Sequence, residues 1–195
     1  MEKDYVTMVD ADRLLIPLQA GEVALKPLEE DHREALRAAC AADSEIWSIY
    51  NVSYDPDHFD ESFDVLLANP ARLAFAILHD GQVVGMTAYL GVDAGKGLLE
   101  VGNTYIAPVM RGTGFNRRVK ELQIDHAIAC GFRRIEFRID ARNARSMAAV
   151  AKLGGVKEGV MRQERVTWNG HLRDTALYSI LADEWRDNAA LNKGS

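Results

Sequence analysis

Residues 98–116 read Leu98-Leu99-Glu100-Val101-Gly102-Asn103-Thr104-Tyr105-Ile106-Ala107-Pro108-Val109-Met110-Arg111-Gly112-Thr113-Gly114-Phe115-Asn116, and this stretch decides the fold. Residues 98–107 are rich in β-branched, aliphatic and aromatic types and stop at Pro108, which cannot donate to a sheet ladder, so they form a strand. The glycines at 112 and 114 mark a turn. A helical pattern then runs to Cys130, where Gly131 supplies the left-handed cap. A further β-rich run at 135–139 completes a unit of strand, glycine turn, helix and strand, a crossover that pairs its two strands in parallel.

Upstream, 72–79 and 83–90 are apolar, β-rich runs separated by Asp80-Gly81, a strong hairpin signal, and 22–26 is a short strand closed by Pro27. Helices are expected over 29–41, with an acidic first turn, and over 55–68, where Phe59, Phe63, Leu66 and Leu67 recur at helical spacing before Asn69-Pro70. Downstream, 146–153 is a helix ended by Gly154-Gly155, and 156–167 and 175–182 are strands around Asn169-Gly170. The sum is an α/β fold, a mixed and mostly antiparallel sheet of six or seven strands with three to five helices. No repeat or Pro/Gly/Ser-rich linker breaks it, so residues 1–195 read as one domain with 1–12 as a frayed arm.

Hydrophobic residues make up 48% of the chain and charged residues 27%, the composition of a packed domain. No stretch reaches the roughly 18 apolar residues of a membrane span. The start, Met1-Glu2-Lys3-Asp4-Tyr5, is too acidic and polar for a signal peptide, which makes the cytoplasm the expected compartment. A net charge of −6 argues against nucleic acid as a partner. The charge is uneven: residues 1–100 hold 19 Asp and Glu against 7 Lys and Arg, and residues 101–195 hold 10 against 16. Either solvated faces happen to segregate, or a basic half holds a polyanion beside an acidic half that attracts a cation. Cys40 and Cys130 sit in Ala-rich helical settings and read as reduced core residues. The histidines lack metal-ligand spacing, and no metal is expected.

The turn around Arg111-Gly112-Thr113-Gly114 feeds a helix, and unpaired N–H groups at a helix start form an anion site suited to phosphate. The alternative is a glycine turn that merely reverses the chain. Neither G-x-G-x-x-G nor a G-K-[ST] ending is present, which disfavours NAD and ATP.

The ordered set Leu99-Glu100-Val101-Gly102-Asn103-Thr104-Tyr105-Ile106, Arg111-Gly112-Thr113-Gly114, Asn143-Ala144-Arg145-Ser146, Leu153-Gly154, Glu158-Gly159, Met161-Arg162, Arg173-Asp174 and Tyr178-Ser179 resembles the GNAT superfamily of N-acetyltransferases. The subgroup it is most similar to is that of the ribosomal-protein N-terminal alanine or serine acetyltransferases, over residues 12–186. The resemblance implies acetyl-CoA as co-substrate and a splayed central strand pair. It places the coenzyme A pyrophosphate on backbone amides of Arg111, Gly112, Thr113, Gly114 and Asn116, although Asn116 stands where the superfamily more often has Gly or Ala. Main-chain groups of Thr104, Tyr105 and Ile106 at a bulge in the strand would pair with the pantetheine arm, as would Asn143, which also reads as a helix cap.

The implied reaction is direct attack of a primary amine on the thioester. Glu100 and Glu164 are the candidate bases, each alternatively an ordinary strand residue, and burial of Glu100 among apolar neighbours would raise its pKa. Val150 stands where many members carry the tyrosine that protonates the departing thiolate, which leaves Ser146 as the nearest acid and Tyr105 and Tyr178 as weaker ones. An acidic first third, with Asp55, Asp57, Asp60, Glu61 and Asp64, is expected to wall the acceptor site and favour a cation, with Trp47 and Tyr54 as possible lining. The acceptor reads as a protein N-terminal α-amine, with a small amine, antibiotic or toxin as the alternative. A non-catalytic acyl-CoA-binding protein is the rival reading. The chain is expected to be a monomer or homodimer without nucleic-acid or membrane partners.

Overall fold

A computed structural model describes residues 9–193. Its eight strands are β1 (Leu18–Ala20), β2 (Val23–Pro27), β3 (Leu73–His79), β4 (Gln82–Asp93), β5 (Leu98–Ile106), β6 (Arg134–Asp140), β7 (Val156–Val166) and β8 (Leu172–Leu181). The five helices are α1 (Arg33–Ala41), α2 (Phe59–Ala68), α3 (Phe115–Ala129), α4 (Ala144–Lys152) and α5 (Ala182–Lys193). The strands form one sheet in the order β1-β2-β3-β4-β5-β6-β8-β7, and every pairing is antiparallel except β5 with β6.

The sheet has one strand more than the six or seven expected. The extra strand, β1, is three residues long, too short for its alternation to show, and it folds back on β2 across Gly21 at φ +58°. α5 is a second addition, joined to α3 by a 2.6 Å hydrogen bond from Trp185 Nε1 to Asp125 Oδ1. Two expected helices start later than their acidic residues suggest. Asp55 Oδ1 accepts from the N–H groups of Asp57 and His58, which holds a turn ahead of Phe59. Glu29 and His32 cap each other reciprocally ahead of Arg33. Of the frayed arm expected over 1–12, residues 1–8 lie outside the described residues. Val9 and Ala11 pack against the core, and Asp10 N–H donates to the Cys130 carbonyl at 2.9 Å, so this part is held rather than frayed.

Both faces of the sheet are covered. On β3, Phe75 and Ile77 join the core under α3, while Ala74, Ala76 and Leu78 join the core with α1, α2, Trp47 and Tyr54. This double burial explains why 72–79 reads as a continuous apolar run. Cys40 and Cys130 are buried and unbridged, as expected of core thiols. Among the described residues no helix is long and apolar enough to cross a membrane.

Three irregularities shape the sheet. β5 and β6 pair only from Leu98↔Arg134 to Glu100↔Glu136, so the two central strands part after Glu100. Between Met86↔Tyr105 and Ala88↔Gly102, β5 carries one extra residue, with Asn103 at φ +49°, and this is the expected bulge. β7 bulges against β8 twice, between Lys157 and Gly159 and between Met161 and Arg165, with Gln163 at φ +52°.

Gly85 on β4 lies against the far end of β5, and a Cβ there would sit 2.1 Å from the Tyr105 carbonyl oxygen. Backbone cannot yield as a side-chain tip does, so Gly85→Ala is expected to cost about 1–3 kcal/mol or more. A urea melt checks this, and a loss below about 0.5 kcal/mol would show that the strands approach less closely.

Candidate active site

Where β5 and β6 part, a cleft of about 630 Å³ opens between them, roofed by the starts of α3 and α4 and by residues 49–52. The 49–52 segment is pinned at several points. Trp168 Nε1 donates to the Trp47 carbonyl at 2.8 Å, Trp168 N–H to Asn51 O at 3.1 Å, and Arg142 Nη2 to Ser48 O at 3.2 Å. Tyr50 Oη reaches across to the Thr104 carbonyl at 2.6 Å, fixing the wall to the bulge in β5.

At one end of the cleft the chain turns through Gly112 (φ +78°) and Gly114 (φ +82°) into α3. Among the described residues the N–H groups of Gly112, Thr113 and Gly114 find no acceptor, and the first turn of α3 adds more unpaired amides. Thr113 Oγ1 is spent inside the turn: it donates to Met110 O at 2.9 Å and accepts from Phe115 N–H at 3.3 Å. Arg111 braces the turn, donating from Nε to Ile106 O at 3.0 Å and pairing through Nη1 with Asp43. Asn116 lines the cleft with a buried Oδ1 that has no partner among the described residues.

α4 presents Asn143, Ser146 and Val150 to the cleft. Asn143 Oδ1 caps the helix by accepting from Ser146 N–H at 3.0 Å, so the capping role holds, and Nδ2 has no acceptor among the described residues. The Ser146 hydroxyl makes no hydrogen bond among the described residues.

Glu100 stands where the strands part, with its side chain 19% exposed and Arg138 Nε 3.7 Å away. Burial raises its pKa, and the nearby guanidiniums of Arg138, Arg165 and Arg173 only partly oppose this. Glu164 is placed differently. It does not line the cleft, its carboxylate is forked by Arg165 at 2.5 and 2.6 Å, and that pairing holds its pKa below the usual range. Of the main-chain candidates, Thr104 and Ile106 border the cleft, whereas the Tyr105 side chain is fully buried and donates to Ala39 O at 2.7 Å.

The expected acidic wall is not there. Asp60 and Asp64 are taken up by Arg33 and Arg37 at 2.5–3.0 Å, Asp55 pairs with His58, and none of the five acidic residues lines the cleft. Trp47 and Tyr54 belong to the core instead, Trp47 stacked on Tyr105 and packed at a tilt against Tyr54. The side chains that line this part of the cleft are Tyr50, Asn51 and Val52.

Sequence reasoning missed a polar chain beneath the bulge. Lys120 Nζ donates to Thr104 Oγ1 at 2.5 Å, Thr104 and Thr87 hydroxyls lie 2.8 Å apart, and Thr87 Oγ1 donates to Gln123 Oε1 at 3.0 Å. Each hydroxyl has one proton, so Thr87, donating to Gln123, must accept from Thr104, and the chain runs in one direction from Lys120 to Gln123. Burial pushes the Lys120 amine down to about 7, against a partial pull upward by Glu100. The signal was present: Lys120 and Gln123 share the buried stripe of α3 with Val119, Ile124 and Ala127.

A family model described as an acetyltransferase (GNAT) domain matches residues 22–156, more than half of the chain. The chain belongs to the GNAT acetyltransferase family. As a GNAT member it is an acetyl-CoA-dependent N-acyltransferase, and the bulged, splayed β5 fits the fold expected of one. A probable GNAT-family acetyltransferase from Chromobacterium violaceum is 29% identical, with 88% of this chain and 89% of that one covered and a TM-score of 0.81. A GCN5-related N-acetyltransferase from Brucella melitensis is 26% identical over 88% of this chain and 81% of that one, with a TM-score of 0.82. RimJ from Mycobacterium smegmatis, solved with CoA-disulfide, shares the fold at 22% identity, 87% coverage of both chains and a TM-score of 0.72. Among curated proteins no sequence matches significantly.

The Lys120 amine has a folded-state pKa below its ordinary 10.5. Between about pH 7 and 10.5 the unfolded chain therefore binds the extra proton, and stability falls as pH drops through that window. Lys120→Met removes the dependence, so its stability relative to wild type is expected to be highest at pH 7 and to shrink toward pH 10. Urea midpoints across that range test this, and a pH-independent difference would contradict a buried neutral amine.

Proposed function

We propose that Glu100 is the general base of an acetyl transfer from acetyl-CoA to a primary amine, the amine attacking the thioester directly. The observation that carries this reading is the position of Glu100: a largely buried carboxylate of raised pKa in the cleft, at the point where the central strands separate. A base must be a good proton acceptor near working pH, which favours Glu100 over the arginine-forked Glu164.

The remaining residues take their parts from their free hydrogen-bonding groups. The unpaired amides of Gly112, Thr113 and Gly114, with those at the start of α3, suit the pyrophosphate. Asn116 and Asn143 carry cleft-facing amides for the neighbouring part of the coenzyme. β5 beyond Glu100 has lost its partner on the β6 side, and main-chain groups of Thr104, Tyr105 and Ile106 are suited to pair with the pantetheine arm. An N–H at the bulge is suited to stabilise the tetrahedral oxyanion, and Ser146 is the nearest hydroxyl for the departing thiolate. The acceptor presents a primary amine, the α-amine of a polypeptide as in the subgroup or that of a small molecule, entering beside Tyr50, Asn51 and Val52.

Glu100→Gln is expected to lower kcat about 10²–10⁴-fold while acetyl-CoA still raises Tm, because the substitution removes the base and spares the coenzyme site. In the wild type, kcat/KM rises with pH as Glu100 loses its proton, with a midpoint above the ordinary carboxylate value of 4.5. Activity retained by Glu100→Gln and lost by Glu164→Gln would reverse the assignment. For the coenzyme end, Gly114→Val at φ +82° is expected to cost about 1–2 kcal/mol of stability and to abolish the acetyl-CoA thermal shift. An undiminished shift would move the phosphates elsewhere.

A further inference from the structure

We propose that the acceptor carries a carboxylate a few bonds from its amine, as a free α-amino acid does, and that Arg173 and Arg165 receive it. The proposal rests on the reading of Glu100 as the base and adds the class of acceptor that base serves.

Arg173, on β8, is 4% exposed and lines the cleft. Its Nη1 donates to Asn51 Oδ1 and its Nη2 to Arg138 O at 2.9 Å, while Nε is buried without an acceptor among the described residues. Among the described residues no carboxylate lies within salt-bridge distance of this guanidinium, so Asp140, Glu164 and Glu100 balance its charge only from further away. A guanidinium cannot shed its proton to escape burial. The cross-strand partner of Arg173 is Arg165 on β7, which also lines the cleft. Like charges facing each other across a ladder destabilise the pair, and among the described residues Glu164 is the one carboxylate within salt-bridge distance of Arg165. Burial and Arg165 together depress the Arg173 pKa.

Of the two arginines only Arg165 has a carboxylate within salt-bridge distance among the described residues, Arg173 lines the cleft with an orphaned buried Nε–H, and an incoming anion supplies the missing partner. The coenzyme's phosphates are not that anion. Glu100 lies six residues before the end of β5 at Ile106, roughly 15–20 Å of extended strand, and the glycine turn lies beyond that end, whereas Arg138, Arg165 and Arg173 act on Glu100. An acceptor with both charges places its ammonium at Glu100 and its carboxylate at the arginines. A polyamine finds no acidic wall for its further cations, since none of Asp55, Asp57, Asp60, Glu61 and Asp64 lines the cleft.

The experiment is acetyl-CoA-dependent thiol release with three acceptor sets: free L-amino acids, the same amino acids as C-terminal amides, and short amidated peptides with Asp or Ala at the second position. Free acids are expected to exceed their amides in kcat/KM by about tenfold to a hundredfold, the range of a charged hydrogen bond. Arg173→Gln is expected to collapse that ratio toward one by raising KM for the acids. Should Arg173→Gln fail to fold, Arg165→Gln, whose side chain is more exposed, reads the same ratio. Peptides preferred only when the second residue is Asp keep the anion and assign it to a polypeptide. Amides, neutral peptides or polyamines turned over as well as the acids overturn the proposal alone. Thiol release with no amine at all overturns the transfer reading as well.

Discussion

The organisation of this protein depends on a ladder that stops. β5 and β6 lie at the centre of the sheet, where every main-chain group has a neighbour to pair with, yet their pairing ends at Glu100↔Glu136. Beyond it the main chain of β5 faces β6 across a cleft, and unpaired backbone polar groups away from water are costly. A site built this way has its hydrogen-bonding groups set by the sheet before a ligand arrives. Both helices that follow the parting strands, α3 after β5 and α4 after β6, direct their starts at the opening, so their unpaired amides serve the same space.

The separation has to be held open. The bulge at Asn103 turns β5, Tyr50 fastens the outer wall to the Thr104 carbonyl, and the chain from Lys120 through Thr104 and Thr87 to Gln123 supports the bulge from below. Burying an amine for this purpose works against stability, and the Gln123 Nε2 left without a partner adds to the cost. Such costs are typical of a functional region, where local rules are broken for the sake of a binding geometry.

Most of the architecture was legible because its elements have strong local signals. Asp80-Gly81 announces the hairpin, Pro108 ends β5, and the glycines at 112 and 114 mark the turn. β1 was not legible, since three residues carry no pattern. α5 was not either, since 182–193 has no clear apolar stripe. At the cleft, Glu100, Ser146 and the glycine turn could be singled out in the sequence because their chain neighbours define them, and all of them line it. Lys120 and Arg173 were overlooked because charged residues in regular elements are usually solvated, and only the tertiary fold shows that these two are enclosed. Asp60 and Asp64 were misjudged for the converse reason: their partners, Arg33 and Arg37, lie more than twenty residues earlier in the chain.

β7 closes one side of the sheet, and its outer edge exposes Val156, Val160 and Val166. A straight edge of that composition offers a template on which the strand of another molecule can grow. The two bulges interrupt it at Glu158 and again around Gln163, and Lys157, Arg162 and Arg165 lie among the valines. An approaching strand would find donors and acceptors out of phase after a few residues. The irregularity that shapes the arginine end of the cleft thus also works against the addition of a further strand at this edge.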